Sequence, residues 1–432
     1  MEISGALILV IVFFGLLAIG TPISFSIGLS TIATMLVTIP PMPSVTTVAQ
    51  RMATGLDSFA LLAIPFFILS GQLMNRGGIA RRLIEFAKVL VGRLPGGLAM
   101  VNIVAAMLFG AISGSAVAAA AAIGGFMVPL MKKDGYDTDY SAAVNITSAT
   151  TGLIIPPSNI MIVYSLATGG VSIAALFIAG YIPGIMLGIG LMIVAGFIAK
   201  KKKYPLVPKI TLKEALIRFL DAIPSLLLII IVIGGIVLGY FTATEGSAIA
   251  VAYTFILSVL IYKEVKWKDL GRILIDTSAT TAIVAMLIGT SMAMSWIMSY
   301  ENIPQTISAS LIALTNNKVI ILLIINVVLL IVGMFMDMTP AVLIFTPIFL
   351  PVVQQLGVNP IHFGIIMIMN LCLGLCTPPV GAVLFVGCGI AQTSVAKVVK
   401  YLLPLFIAMI IVLMIVTYVP WFSLFLPRLF GY

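Results

Sequence analysis

A helix that crosses a bilayer needs about 20 consecutive apolar residues. Runs of that order recur along the whole chain, parted by short polar segments. They predict spans near 5–20, 23–39, 57–75, 140–168, 173–199, 222–241, 245–262, 276–300, 361–391 and 401–427. Two further apolar regions, 97–131 and 318–356, are each long enough for two passes or for one re-entrant hairpin. Two shorter stretches carry a different rhythm. Ile79, Leu83, Phe86 and Leu90 share one helical face, with arginines and Lys88 elsewhere; Ile303, Ile307, Leu311 and Leu314 repeat that spacing ahead of the second region. Such a pattern suits helices lying along the membrane interface. The first run, Ile3 to Ile19, lacks a basic leader and a small-residue cleavage site and is read as a retained helix.

Composition fixes the class. The 432 residues are 61% hydrophobic and 9% charged, with a mean hydropathy of +1.24, the balance of an all-α polytopic membrane protein with no separate soluble domain. The net charge of +9 does not point to nucleic acid, because the basic residues sit in short loops between spans. Cys372, Cys376 and Cys388 all lie in apolar segments and read as packing residues.

Charge also assigns the faces. Five basic segments, 76–93, 132–133, 200–218, 263–272 and 397–400, hold 20 of the 23 Lys and Arg residues, leaving Arg51, Lys318 and Arg428. Placing all five in the cytoplasm makes 97–131 start and end inside and 318–356 start and end outside. Each is then a hairpin, the two dip in from opposite faces, and both termini are periplasmic. An independent pattern agrees. Pro129, Gly135, Gly152 and Pro156-Pro157 recur as Pro351, Gly357, Gly374 and Pro378-Pro379, each 222 residues later. A fixed offset over five positions argues for internal duplication, here with inverted halves. The predicted organisation is N-terminal scaffold helices (1–56), a first repeat (57–199, with hairpin 97–131 and broken helix 140–168), connecting scaffold helices (200–275), and a second, inverted repeat (276–432, with hairpin 318–356 and broken helix 361–391).

The chemistry gathers at the interruptions. Proline removes a backbone donor and clashes with the preceding turn, so a helix breaks at each Pro-Pro pair. Broken helices persist in a membrane only where protein or a cavity satisfies the freed groups, and paired breaks in matching halves point to a carrier's binding site. The first hairpin turns near Ser113-Gly114-Ser115, whose hydroxyls and carbonyls could coordinate a sodium ion or cap the next half-helix. Pro157 suits the first turn of a new half-helix, and that N-terminus, with Ser158 and Asn159 beside it, is a seat for a carboxylate. The second hairpin turns near Asp337-Met338-Thr339-Pro340, where Asp337 could cap or ligate a cation. In the second break Val380 and Gly381 stand where the first has Ser158 and Asn159, so substrate contacts are expected to be asymmetric. Of 14 acidic residues only Asp337 and Glu245 fall near a functional break or deep position, and Glu245 is a candidate for a transport role or a helix-terminal carboxylate. One histidine, His362, and no paired intramembrane aspartates leave an enzyme without its machinery. A phosphate-binding Gly-Lys-Ser/Thr loop is also missing.

These residues carry a resemblance. Ser113-Gly114-Ser115, Pro129, Gly135-Tyr136, Gly152, Ile154-Ile155-Pro156-Pro157-Ser158, Ala179-Gly180-Tyr181-Ile182-Pro183-Gly184, Thr244-Glu245 and Thr377-Pro378-Pro379-Val380-Gly381 together resemble the large membrane (M) subunit of tripartite ATP-independent periplasmic (TRAP) transporters, over essentially the whole chain. The resemblance implies a sodium-coupled, elevator-type secondary transporter of the bacterial inner membrane that needs no organic cofactor. It implies two partners: a small four-helix membrane subunit, expected as a separate chain because no such extension precedes residue 1, and a soluble periplasmic binding protein that delivers an organic acid. That acid is a sugar acid such as sialic acid, or a C4-dicarboxylate. Sodium ions would lie near Ser113, Ser115 and Gly152 in one half and near Asp337, Thr339, Gly374 and Thr377 in the other, with Pro157, Ser158 and Asn159 at the substrate. The alternatives are a self-contained sodium/carboxylate symporter, which needs no binding protein, and a channel, whose flux would not saturate.

Overall fold

The computed structural model describes residues 5–208, 210–315, 317–378 and 380–432, apart from the side chain of Ile112. Ile3, Pro379 and Lys209 of the basic segment 200–218 lie outside the described residues. Among the described residues every regular element is helical: α1 (Gly5–Ala18), α2 (Ile23–Thr38), α3 (Pro41–Leu56), α4 (Ala63–Arg76), α5 (Ile79–Val91), α6 (Gly97–Ser113), α7 (Ala116–Lys133), α8 (Thr138–Ala149), α9 (Asn159–Ala167), α10 (Ile173–Lys202), α11 (Leu212–Val237), α12 (Ala243–Phe255, continued by a π-helical stretch Ile256–Ile261), α13 (Trp267–Tyr300), α14 (Ile303–Leu314), α15 (Lys318–Phe335), α16 (Met338–Gln355), α17 (Pro360–Gly374), α18 (Ala382–Ala391), α19 (Val395–Tyr418) and α20 (Trp421–Leu429). Nine segments among the described residues are long and apolar enough to cross a membrane.

The two ambiguous apolar regions are hairpins. α6 and α7 pack on each other across the tip Gly114–Ser115, and α15 and α16 across Met336–Asp337. Gly114 makes the first turn possible, since its φ of 61° lies in the left-handed region that favours glycine. The stretch 140–168 is broken into α8 and α9, and 361–391 into α17 and α18.

The duplication holds element by element. Moving α7 by 222 residues gives the bounds of α16, and the first residue of α10 moves onto that of α19. The N-caps follow. Ser115 answers to Asp337 and Ser172 to Ser394. Asp137, which accepts from Asp139 N at 3.1 Å, answers to Asn359, which accepts from Ile361 N at 2.8 Å. The halves also exchange contacts. α7 packs on α18 and, in the equivalent pair, α16 packs on α9; α8 packs on α19 and α17 on α10.

The halves are inverted. Tyr401, near the start of α19, donates to Asp137 Oδ2 at 2.6 Å beside the base of the first hairpin. Tyr418, at the end of the same helix, donates to the carbonyl of Val319 at the base of the second at 3.1 Å. The two tyrosines are separated by about 25 Å of helix at 1.5 Å per residue, so the hairpins enter from opposite ends.

All five basic segments meet in one layer. Arg76 pairs with Asp276 (2.7 Å), Arg81 with Glu264 (3.0 Å), Arg82 with Asp221 (3.3 Å), and Glu85 with both Lys88 and Arg218 (2.6 Å each). Val207 N donates to Gly92 O, Tyr136 donates to Pro205 O at 2.7 Å, and Lys202 and Lys400 both approach the Tyr401 ring. Exposed ion pairs add little stability; their value here is to show which loops share a face. Burial pushes the Tyr136 phenol up to about 12, so it stays a neutral donor in this layer.

Several boundaries differ from the sequence reading. α3 was not expected, because Pro40, Pro41 and Pro43 obscure its start; they fall at the helix entry, where proline is tolerated, and α3 packs on α2 and α13. The span read at 401–427 is two helices, as Pro420 follows the end of α19 and precedes α20. α11 and α13 begin about ten residues earlier than their apolar runs, on polar first turns: Thr211 Oγ1 accepts from Glu214 N, and Asp269 Oδ2 accepts from Lys266 N at 3.2 Å.

Candidate functional site

The first break is built by the helix before it. Four successive hydroxyls on and after α8 turn back onto their own carbonyls: Thr147 to Ala143 O (2.9 Å), Ser148 to Asn145 O (3.2 Å), Thr150 to Thr147 O (2.9 Å) and Thr151 to Ser148 O (2.6 Å). Such back-bonding bends helices. The chain tightens to a 3-10 turn at Thr151–Leu153, and Pro156 and Pro157, joined by a cis peptide, supply no amide donors. α9 starts at Asn159, not at Pro157 as read from sequence. Ser158 is extended (φ −132°) and takes the N-cap position, which places Pro157 outside the helix.

That N-terminus is unusually unfinished. Ser158 is fully buried and its side chain makes no capping bond, and among the described residues neither its Oγ nor Asn159 Oδ1 has a hydrogen-bond partner. A buried polar atom left unpaired costs about 1–3 kcal/mol, and a helix N-terminus adds partial positive charge. The tip of the first hairpin faces this place: a Cβ on Gly114 would lie 3.2 Å from Asn159 Nδ2 and 3.6 Å from its amide nitrogen. Ser115 Oγ accepts from Ala118 N at 3.3 Å as a cap, and the buried Ser113 stands 3.5 Å from Ser115 O. α4 presses on the same tip, with a Cβ on Gly71 falling 3.0 Å from Ser113 O.

Each hairpin crosses its broken helix at paired glycines. A Cβ on Gly110 would fall 2.5 Å from Gly152 Cα, and one on Gly374 would fall 2.6 Å from the Gly333 carbonyl carbon. Backbones at this distance tolerate no side chain. In the second half Asp337 N-caps α16 without a side-chain capping bond. It is accessible although protein surrounds it, because it opens into a crevice of about 180 Å³ shared with Gly333, Leu375, Val380, Gly381 and Ala382. Thr339, the second residue of α16, is half-buried, and Thr377 Oγ1 donates to Leu373 O at 2.7 Å. The two breaks are neighbours: Cys376 Sγ donates to Ile146 O on α8 at 3.4 Å. Ser113, Ser115, Gly152, Ser158 and Asn159 therefore group around one hairpin tip, and Asp337, Gly374 and Thr377 around the other.

Glu245 stands apart. It is exposed and closes a capping box with Thr242 (Thr242 N to Glu245 Oε2, 2.8 Å) on α12, which packs on α4 and α11. Among the described residues no cluster of three or more His, Cys, Asp or Glu side chains is present. The available donors at both tips are carbonyl and hydroxyl oxygens with one carboxylate, a set suited to a hard cation. A cavity of about 850 Å³ lies between α1 and the outer side of the second hairpin and is lined throughout by apolar residues such as Phe13, Val328 and Phe345, so it offers nothing to hold an organic acid.

Sequence reasoning missed the polar pairs beside these crossings. Asn102 Nδ2 donates to Ser148 Oγ at 2.9 Å, and Asn370 Nδ2 donates to Asn326 Oδ1 at 2.8 Å, all four residues buried. The signal was present in the second half, where Asn326 and Asn370 are solitary amides in apolar runs.

The family model described as "Tripartite ATP-independent periplasmic transporter, DctM component" matches residues 10–422. The uncharacterized protein YgiK of Salmonella typhimurium is 55% identical over 98% of each chain. The C4-dicarboxylate TRAP transporter large permease protein DctM of Rhodobacter capsulatus is 38% identical over 99% of each. Among solved structures, the Alcanivorax borkumensis YdaH transporter superposes with a TM-score of 0.63 at 13% identity, covering 97% of this chain and 98% of that one, a likeness of fold.

Proposed function

This chain belongs to the DctM family, the large membrane component of TRAP transporters, and from that premise we propose that it carries an organic acid across the bacterial inner membrane, driven by sodium and supplied by a periplasmic binding protein. The family accounts for a multi-pass permease of organic-acid uptake. The observation that carries the finer reading is the start of α9, where the buried Ser158 hydroxyl, a donor without a partner among the described residues, stands at a half-helix N-terminus that faces a hairpin tip. A carboxylate arriving there trades hydration for fixed donors: the Ser158 hydroxyl, the Asn159 amide and the first backbone amides of the half-helix. Pro157 shapes the approach. A sugar acid or a C4-dicarboxylate satisfies this chemistry equally.

Sodium would be held near Ser113, Ser115 and Gly152 at the first tip and near Asp337, Thr339, Gly374 and Thr377 at the second. Closing each hairpin on its break would bring carbonyls and hydroxyls around the ion, so ion and acid bind as a set. On this reading the basic layer faces the cytoplasm and both termini face the periplasm. Two bodies would move against each other: the repeats with their hairpins and breaks, and a scaffold of residues 1–56 and 200–275. A small four-helix subunit would complete the scaffold.

The test is uptake of a labelled organic acid by vesicles holding this chain with its small subunit. Uptake is expected only with an inward sodium gradient and the binding protein. Equal rates without the binding protein would make the chain a self-contained symporter, and flux that fails to saturate would make it a channel. In the same assay Asp337→Ala is expected to lower sodium-driven uptake while the protein still assembles; a wild-type rate would remove Asp337 from the coupling.

A further inference from the structure

One buried polar chain runs through the second half and has only fragments in the first. Asn370 stands one turn before Gly374, where α17 crosses the hairpin. Its Nδ2 donates to the carbonyl of Asn326 on α15 at 2.9 Å and to Asn326 Oδ1 at 2.8 Å. Asn326 Nδ2 donates to Leu322 O at 2.8 Å and reaches Thr417 Oγ1 on α19 at 3.4 Å. The carbonyl of Thr417 faces His362 Nε2 at 3.2 Å, and His362 Nδ1 lies 2.6 Å from Ser423 Oγ on α20. A carbonyl only accepts, so Nε2 carries the proton, and in the neutral ring Nδ1 accepts from the Ser423 hydroxyl. All five side chains are buried.

The first half holds the same two ties unconnected. Tyr140 donates to Ala195 O at 2.8 Å, and residues 140 and 195 are the 222-residue counterparts of His362 and Thr417. Ser148, the counterpart of Asn370, accepts from Asn102 at 2.9 Å. The link between the ties is absent because Val104 and Ala195 stand where the second half has Asn326 and Thr417. The second half has thus joined two local bonds into one chain across α15, α17, α19 and α20, and it is the half whose hairpin tip carries the carboxylate.

We infer that the Asn326–Asn370 pair, anchored through Thr417 and His362, is a positioning device that sets how the second hairpin and the second broken helix present Asp337, Gly374 and Thr377 to a cation. Neither asparagine touches the ion. In a low-dielectric interior, sliding α17 along α15 would strand several amides at once, so the pair resists changes of register. Gly333 and Gly374 leave the two backbones free to slide, since they carry no side chains to interlock; the pair supplies the missing detent. The inference rests on sodium coupling as proposed above.

The experiment measures uptake by the reconstituted complex against sodium concentration, and against substrate at saturating sodium. Asn370→Ala is expected to raise the half-saturating sodium concentration about tenfold, with the maximal rate and the substrate half-saturation held within about twofold of wild type, a margin smaller than one lost hydrogen bond produces. Asn370→Ser installs the residue of the first half and keeps a donor, so it remains informative if the alanine variant fails to assemble; its sodium requirement should fall between the two. His362→Tyr restores the tie of Tyr140 and should keep the wild-type sodium requirement, while His362→Phe should raise it. An unchanged sodium requirement in Asn370→Ala and Asn370→Ser, or equal shifts in sodium and substrate half-saturation, overturns the inference and leaves sodium coupling standing. Wild-type uptake that ignores sodium removes both.

Discussion

At the level of single residues, Ser158 is the sharpest probe. Its hydroxyl is buried and has no partner among the described residues, so removing it breaks no bond in the free protein, relieves the cost of burying an unpaired group there, and takes a donor only from the bound state. A charge-assisted hydrogen bond contributes about 1.5–3 kcal/mol, so Ser158→Ala should weaken apparent substrate affinity roughly tenfold to a hundredfold in uptake assays. Val380 holds the equivalent place in the second break, is exposed and has no polar group, so Val380→Ala should leave affinity nearly unaltered. Equal losses would trace the effect to packing. Much of this site was legible in the sequence, because Pro-Pro, Ser-Gly-Ser and Asp-Met-Thr-Pro each announce a departure from helix on their own. Asn102 with Ser148, and Asn326 with Asn370, were not legible. Their partners lie 46 and 44 residues away, and no local rule specifies which faces of two apolar helices will meet.

Among elements, the hairpin–break crossings set the tolerances. Gly374→Ala drives a methyl into the Gly333 backbone, and overpacking of this kind costs about 1–3 kcal/mol. Gly389 lies inside α18 with nothing within 4 Å of where a Cβ would go, so Gly389→Ala should be neutral or stabilise by about 0.5–1 kcal/mol through helix propensity. Thermal unfolding of the two purified variants compares them directly; a Gly374→Ala protein as stable as Gly389→Ala would mean the crossing is looser than described. Element boundaries were read well where hydropathy changed sharply, as at both hairpins. They were read poorly where polar helical turns extend a span, as at α11 and α13. α3 escaped because its prolines look like a loop until one sees them gathered at the entry turn.

For the molecule as a whole, inversion of the halves makes a topological prediction. In a cysteine-substituted chain a membrane-impermeant thiol reagent should reach a position beside Lys202 from one side and a position beside Gly357 from the other. Labelling of both from one side would contradict the arrangement inferred from Tyr401 and Tyr418. The duplication and the sidedness of the basic loops were visible in one sequence, because an offset and a charge tally need no third dimension. The exchange of contacts between halves was not visible, since it depends on which surfaces dock. That exchange bears on how the protein comes into being. α9 leaves the ribosome with its bed, α16, still unmade, because the last residue of α16 lies 188 positions beyond the last of α9. At about 5–20 residues per second, the nascent first half waits roughly 10–40 s in the membrane without the surface that covers it. During that interval the proposed substrate seat is a gap at the edge of an unfinished protein, so a chain stalled before Gln355 is a natural client for membrane quality control.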